Sequence, residues 1–216
     1  LFRTSPSGTV GCFAVGLANG AFWGLAPVYG SAIGDAVSMA AWFMAAAIIG
    51  GAILQWPLGL MSDSLGRRTV LVAVCLLGSA AGLALALLAP RFGVVPVIVL
   101  GGVWGAFAFP LYSIVVAYAN DYADQGEYVK VSAGLLLVYG IGAIIGPFVA
   151  SALITIRGGD GLFLFTAAVH VLLVGFVTYR FFKEGSQADQ PIAFGDALSA
   201  AQTASQVYEE ELQEEQ

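Results

Sequence analysis

Long apolar stretches alternate with short polar ones along the first 183 residues. Each apolar stretch is close to the roughly 20 residues that a helix needs to cross a bilayer. Polar and apolar residues do not alternate as they do in β-barrel strands. Because lipid offers no partners to open backbone groups, we predict that every span is an α-helix. The six predicted spans are residues 9–30, 39–61, 69–89, 94–119, 131–155 and 161–181.

Composition agrees with this pattern, since 59% of the residues are hydrophobic and 10% are charged. Soluble domains carry about 25% charged residues. We therefore predict an all-α, multi-pass membrane protein with a six-helix bundle over residues 1–183. Residues 184–216 hold eight acidic residues and no Lys or Arg, and we predict a disordered acidic tail there. Nothing in this charge pattern favours nucleic-acid binding. Because the sequence begins with Leu1, we expect it to be a fragment of a longer chain.

Basic residues predict the orientation, because positive charge in short loops is retained in the cytoplasm. Arg91 and Arg157 lie at one set of span ends. Six basic residues lie at the other set: Arg3, Arg67, Arg68, Lys130, Arg180 and Lys183. We therefore expect both termini to be cytoplasmic.

The loop between the second and third spans has the spacing G-x-x-x-D-x-x-G-R-R. Its defining residues are Gly59, Asp63, Gly66, Arg67 and Arg68. An Asp at a helix end can accept backbone N–H bonds, and a glycine permits a tight turn. The arginines can reach carboxylates in the other predicted cytoplasmic loop.

Three acidic residues of that other loop are candidate partners for the arginines: Asp121, Asp124 and Glu127. Asp121 is the first choice because it follows the fourth span directly. One interpretation is a gate that is shut in one transport state and broken in the other. The alternative is that the loop only anchors the helices and enforces topology.

Two halves of the predicted bundle share short sequence patterns. Trp23-Gly24 of span one matches Trp104-Gly105 of span four, and both pairs are followed by a proline and a tyrosine. The run that begins at Gly51 in span two matches the run that begins at Gly142 in span five. Because three is odd, the second triplet of spans must cross in the opposite sense. This predicts two inverted three-helix repeats, a common basis of secondary transporters.

The G-x-x-x-D-x-x-G-R-R loop is similar to the signature of the major facilitator superfamily, which lies between the second and third helices of each six-helix half. Ser64 stands where a basic residue is frequent. The flanking Gln55-Trp56-Pro57, Pro110-Leu111-Tyr112 and Gly146-Pro147 resemble the YcaD-like branch, in its C-terminal half.

The resemblance implies half of a major facilitator fold that works by alternating access as a secondary transporter of a small solute in a bacterial inner membrane. Its expected partners are the lipid bilayer, the solute and an N-terminal six-helix half outside this sequence. In such folds the first and fourth helices of a half line the cavity. The expected substrate-cavity residues are Asn19, Trp23, Gln55, Trp104, Tyr112 and Tyr139. The alternatives are interfacial belt residues for the aromatic side chains and contacts between helices for the amides.

Other chemistry is not indicated by the sequence. Cys12 and Cys75 are scattered within apolar spans and suggest neither a disulfide nor a metal site. His170 lies deep in a span, but the resemblance places that span at the periphery, so a proton role is disfavoured. We expect no catalytic residues, no metal and no cofactor. The remaining alternative function is a non-transporting membrane sensor or scaffold whose acidic tail binds a partner.

Overall fold

Seven α-helices and one 3-10 turn make up the part of the chain that the structure describes. The structure is a computed structural model that describes residues 2, 5–33, 36–88, 93–123 and 127–184. The α-helices are α1 (Pro6–Ile33), α2 (Ala36–Leu65), α3 (Arg67–Leu87), α4 (Val94–Ala108), α5 (Leu111–Asn120), α6 (Tyr128–Arg157) and α7 (Gly161–Glu184). The 3-10 turn is Gly158–Asp160. No strand occurs among these residues, so the prediction of an all-α protein is confirmed.

Five stretches of the described chain are long and apolar enough to cross a membrane. They are Pro6–Ser31, Ser38–Leu65, Arg67–Leu87, Val94–Asn120 and Tyr128–Lys183. The last stretch has 56 residues and contains both α6 and α7. Several residues named in the predictions lie outside the described part of the chain. They are Arg3, Arg91, Asp124 and, from the predicted tail, residues 185–216.

The chain divides into two compact units, Leu1–Thr178 and Tyr179–Gln216. The first unit contains the helices from α1 to most of α7. In the second unit the described residues are 179–184, the end of α7, where the rings of Phe181 and Phe182 meet edge to face.

The predicted fourth span is divided into α4 and α5 at Phe109 and Pro110. Proline has no backbone N–H, so it cannot donate to the carbonyl of the residue four positions earlier. Both residues keep φ angles near the helical value, −73° and −64°. The interruption is therefore local, and the backbone N–H of Ile114 donates to the Pro110 carbonyl at 3.1 Å.

Glycines allow two helix pairs to approach at backbone distance. Where α1 meets α6, an added Cβ on Gly16 would collide with the Tyr139 carbonyl, and one on Gly146 with the Leu17 carbonyl. Where α2 meets α4, a Cβ on Gly105 would collide with the Ala47 carbonyl. Small residues at such crossings let membrane helices pack closely.

An aromatic core joins α1, α2, α4 and α7 within the first unit. The Phe22 ring stacks on the Trp104 ring at 4.7 Å, and the Phe163 ring meets Trp104 edge to face at 5.5 Å. The Tyr29 hydroxyl donates to the Leu85 carbonyl of α3 at 3.2 Å. The Ser79 hydroxyl of α3 also donates to the Ala167 carbonyl of α7 at 3.2 Å.

Candidate functional site

A sharp turn separates α2 from α3 at the predicted gating loop. Gly66 has φ 89°, a left-handed conformation that glycine adopts without steric cost. Because α2 ends at Leu65 and α3 begins at Arg67, this single residue reverses the chain. Gly59 lies inside α2 with open space around its Cα. No close contact within the described chain therefore requires a glycine at this position of the motif.

Arg67 binds two carboxylates from different elements. Its Nη1 lies 3.1 Å from Oδ1 of Asp63 on α2, and its Nε lies 2.7 Å from Oδ2 of Asp121. Asp121 is the first residue after α5, where its own N–H donates to the Ala117 carbonyl. We call Asp63, Arg67 and Asp121 the Arg67 cluster. It joins the α2–α3 turn to the end of α5. Asp63 and Asp121 are 58 residues apart in the sequence.

The neighbouring Arg68 is directed to another helix. Its Nη2 donates to the Val177 carbonyl of α7 at 2.5 Å. Glu127, a further candidate partner of the arginines, pairs instead with Lys130 on its own helix at 3.5 Å. The two adjacent arginines therefore connect the same turn to the end of α5 and to α7.

The six expected cavity residues are in three kinds of environment. Trp104 and Asn19 are buried in the interior of the chain. Trp23 and Gln55 are exposed, on α1 and α2. Tyr112 and Tyr139 are half-buried, and their rings meet at 4.9 Å where α5 faces α6. The structure thus brings the two tyrosines together and leaves four of the six side chains at least partly accessible.

Trp104 is connected to the exposed Trp23 through two phenylalanine rings, Phe22 and Phe109. Its ring stacks on Phe22 and meets the edge of Phe109 at 5.8 Å. Phe109 in turn stacks on Trp23 at 5.4 Å with ring planes 10° apart. Sequence reasoning missed Phe109, although the Phe109-Pro110 dipeptide in an apolar span was a signal that the helix is interrupted there.

His170 faces α3 rather than any described charged side chain. It is fully buried, and a Cβ added to Gly78 would lie 3.4 Å from its Nδ1. This position is between α3 and α7, separate from both the Arg67 cluster and the expected cavity residues.

The comparison with known families decides the identity of this membrane-spanning chain. The Major Facilitator Superfamily model matches residues 8–209. The chain belongs to the Major Facilitator Superfamily. The resemblance found in the loop at Asp63–Arg68 is thereby confirmed, and membership of this superfamily agrees with a multi-pass membrane protein.

Relatives within the Major Facilitator Superfamily give a consistent result. The chain is 30% identical over 194 residues to proteins named Uncharacterized MFS-type transporter YcaD from Salmonella paratyphi B, Salmonella newport and Salmonella dublin. The match covers 88% of this chain and 47% of each relative. The chain therefore spans about half the length of these relatives. No solved structure matches the chain significantly.

Proposed function

We propose that this chain is the C-terminal six-helix half of a secondary transporter that moves a small solute by alternating access. In this proposal α4 and α5 together make one crossing, so the seven helices give six spans, arranged as two inverted three-helix repeats. Both termini lie in the cytoplasm, and the protein resides in a bacterial inner membrane. A second six-helix half supplies the opposite side of the cavity.

The pairing of helices supports the inverted repeat. Under the sequence match, α1 corresponds to the α4–α5 span, and α2 corresponds to α6. The α1–α6 crossing and the α2–α4 crossing are then equivalent, and glycines permit close approach in both. An inverted repeat of this kind is a frequent basis of transporter folds.

The observation that carries the mechanism is the Arg67 cluster. One guanidinium holds carboxylates of two elements at a single end of the bundle, at 3.1 Å and 2.7 Å. Such a contact favours the conformation in which these elements meet, and it must break for them to separate. We infer that the cluster is a cytoplasmic latch for one transport state.

Transport by the complete carrier tests this proposal. Arg67→Ala and Asp63→Asn are expected to reduce uptake or efflux while membrane insertion is unchanged. The matched control is Lys130→Ala, which breaks an exposed ion pair on α6 outside the cluster. Unchanged flux in both cluster variants would refute the latch.

Deletion of residues 188–216 separates transport from a scaffold role of the acidic tail. We expect flux to be retained without the tail. Loss of a partner-dependent signal, in a protein with no detectable flux, would favour the sensor or scaffold instead.

A further inference from the structure

Trp23 and Phe109 form a stacked aromatic pair at the surface of the first unit. Their ring centroids lie 5.4 Å apart and their planes differ by 10°. Phe22 fixes both rings, since it meets each of them edge to face, at 5.5 Å and 5.4 Å. Trp23 is still 47% exposed. The pair is therefore rigidly supported from the interior and open on its other side.

The aromatic pair lies at the interruption between α4 and α5. Pro110 follows Phe109 and provides no N–H for the carbonyl of Ala106. Interrupted backbone at membrane depth is tolerated where it is buried in protein or lines a water-filled cavity. Pro110 is itself buried, so protein covers the interruption, and the exposed face of Trp23 is the part of this region that is left open.

The exposed amide of Gln55 on α2 indicates that the aromatic pair does not face lipid. An added Cβ on Gly51 would lie 2.7 Å from Cδ2 of Phe109. Gln55 is one helical turn further along the same side of α2, and it is exposed. A primary amide facing hydrocarbon without a partner is costly. The side of α2 next to Phe109 is therefore a poor surface for lipid and a suitable one for a polar solute or water.

Two tyrosines lie beyond the interruption, and one of them, three residues after Phe109, is on the same side of the interrupted helix. Tyr112 is the second residue after Pro110, and its ring meets that of Tyr139 at 4.9 Å. Both are half-buried and carry hydroxyl groups that can donate or accept hydrogen bonds. The aromatic pair, the two tyrosines and Gln55 together provide flat ring faces and neutral hydrogen-bonding groups, with no charge among them.

We propose that Trp23 and Phe109 form a subsite for an uncharged solute with a flat aromatic ring and a hydroxyl or similar hydrogen-bonding group. The ring stacks on the aromatic pair, and the polar group reaches Gln55 or the tyrosine hydroxyls. Phe109 is then a specificity-determining residue. This inference rests on the proposed transport function, because it assigns the solute class of the same carrier.

Equilibrium dialysis of the complete carrier in lipid nanodiscs tests the subsite. The probes are 2-naphthol and decahydro-2-naphthol, which share a carbon skeleton and a hydroxyl group but differ in the flat ring. A third probe, 2-naphthoate, tests the preference for an uncharged solute. Empty nanodiscs correct for partition into lipid.

The variants are Trp23→Leu and Phe109→Leu, which keep an apolar side chain and remove a ring face. The matched control is Trp42→Leu, since Trp42 is an exposed tryptophan of α2 without a ring neighbour among the described residues. Circular dichroism and a monodisperse elution profile establish that each variant is folded.

We expect the wild-type chain to bind 2-naphthol more tightly than decahydro-2-naphthol by about 2-fold to 12-fold, the range for one aromatic contact. Both Trp23→Leu and Phe109→Leu should abolish this preference, and Trp42→Leu should keep it. 2-Naphthoate should bind more weakly than 2-naphthol. Equal binding of the first two probes by the wild-type chain, or equal loss in Trp42→Leu, would overturn the subsite.

The binding assay and the flux assay fail independently. If the ring preference is missing while Arg67→Ala still lowers flux, the subsite is wrong and the transport proposal stands. If the ring preference is present while no latch variant changes flux, the latch proposal is wrong and the subsite stands.

Discussion

Replacing Arg67 with alanine should open the contact between the α2–α3 turn and the end of α5. The guanidinium is the only group that joins Asp63 to Asp121 among the described residues. Its removal takes away two ion pairs and leaves two carboxylates near each other. Asp121→Asn, in contrast, removes one ion pair and leaves Arg67 bound to Asp63.

The size of the effect follows from the exposure of the groups. The Arg67 side chain is 28% exposed and the Asp121 side chain is 48% exposed. Exposed ion pairs contribute about 0.2–1 kcal/mol each. We therefore expect Asp121→Asn to weaken the closed state by about 0.2–1 kcal/mol. Arg67→Ala should cost roughly 1–2 kcal/mol because repulsion between the carboxylates adds to the loss of both pairs.

These free energies predict a measurable change of population. A cost of roughly 1–2 kcal/mol shifts the ratio of closed to open molecules by about 5-fold to 30-fold. Combining Arg67→Ala with Asp121→Asn should cost less than the sum of the two single changes, because the second change removes the repulsion. Raising the salt concentration to about 1 M should reduce the difference between the variants, since exposed charges are screened.

Distances between spin labels on the two elements report the population directly. Suitable positions are Ser64 on α2 and Tyr122, which directly follows Asp121 at the end of α5, and both are exposed. The native Cys12 and Cys75 are buried, so labelling is directed to introduced cysteines. Pulsed electron–electron double resonance on the complete carrier then gives the fractions of short and long distances between the labels.

One result would refute the reasoning on the Arg67 cluster. If Arg67→Ala leaves the distance distribution unchanged at low salt, the guanidinium does not hold the two elements together. The same conclusion follows if Lys130→Ala changes the distribution as much as Arg67→Ala, because the Lys130 ion pair lies outside the cluster.

Five further substitutions test the packing, each by denaturant unfolding in mixed micelles. Gly146→Val should prevent α1 and α6 from meeting and abolish the folded state, since even a Cβ collides with a carbonyl oxygen there. Gly66→Ala should cost about 1–2 kcal/mol because of its positive φ, whereas Gly59→Ala, inside a helix with free space, should stabilise by about 0.5–1 kcal/mol. Trp104→Ala should cost about 3–5 kcal/mol because its ring is fully buried in the aromatic core, whereas the exposed Trp42→Ala should change stability far less.

The Arg67 cluster illustrates how far local sequence reasoning reaches. The motif spacing identifies Asp63, Gly66 and Arg67 as a turn with charge, and the position after a span makes Asp121 the first candidate partner. Which arginine approaches Asp121 depends on the rotation of α3 about its axis, because consecutive residues of a helix point about 100° apart. That rotation directs Arg68 toward the Val177 carbonyl instead.

The expected cavity residues show the opposite case. Trp23 and Trp104 occupy matching positions in the internal repeat, yet Trp23 is exposed and Trp104 is fully buried. Both are tryptophans in apolar helices, so residue type and position in a span are equal for the two. Their burial differs because Phe22 and Phe163 cover the Trp104 ring.

The amino-acid sequence by itself determined that the chain lies in a membrane and that its fold is helical. It also determined the position of the turn at Gly66 and the membership of a transporter superfamily. Each of these depends on runs of apolar residues or on a short motif, so neighbouring residues in the chain contain the information. Only the tertiary structure decided that Arg67 bridges two carboxylates, that Trp104 is interior, and that Phe109 stacks on Trp23. These contacts depend on the axial rotation and close approach of helices far apart in sequence, which glycine crossings permit and side-chain packing selects.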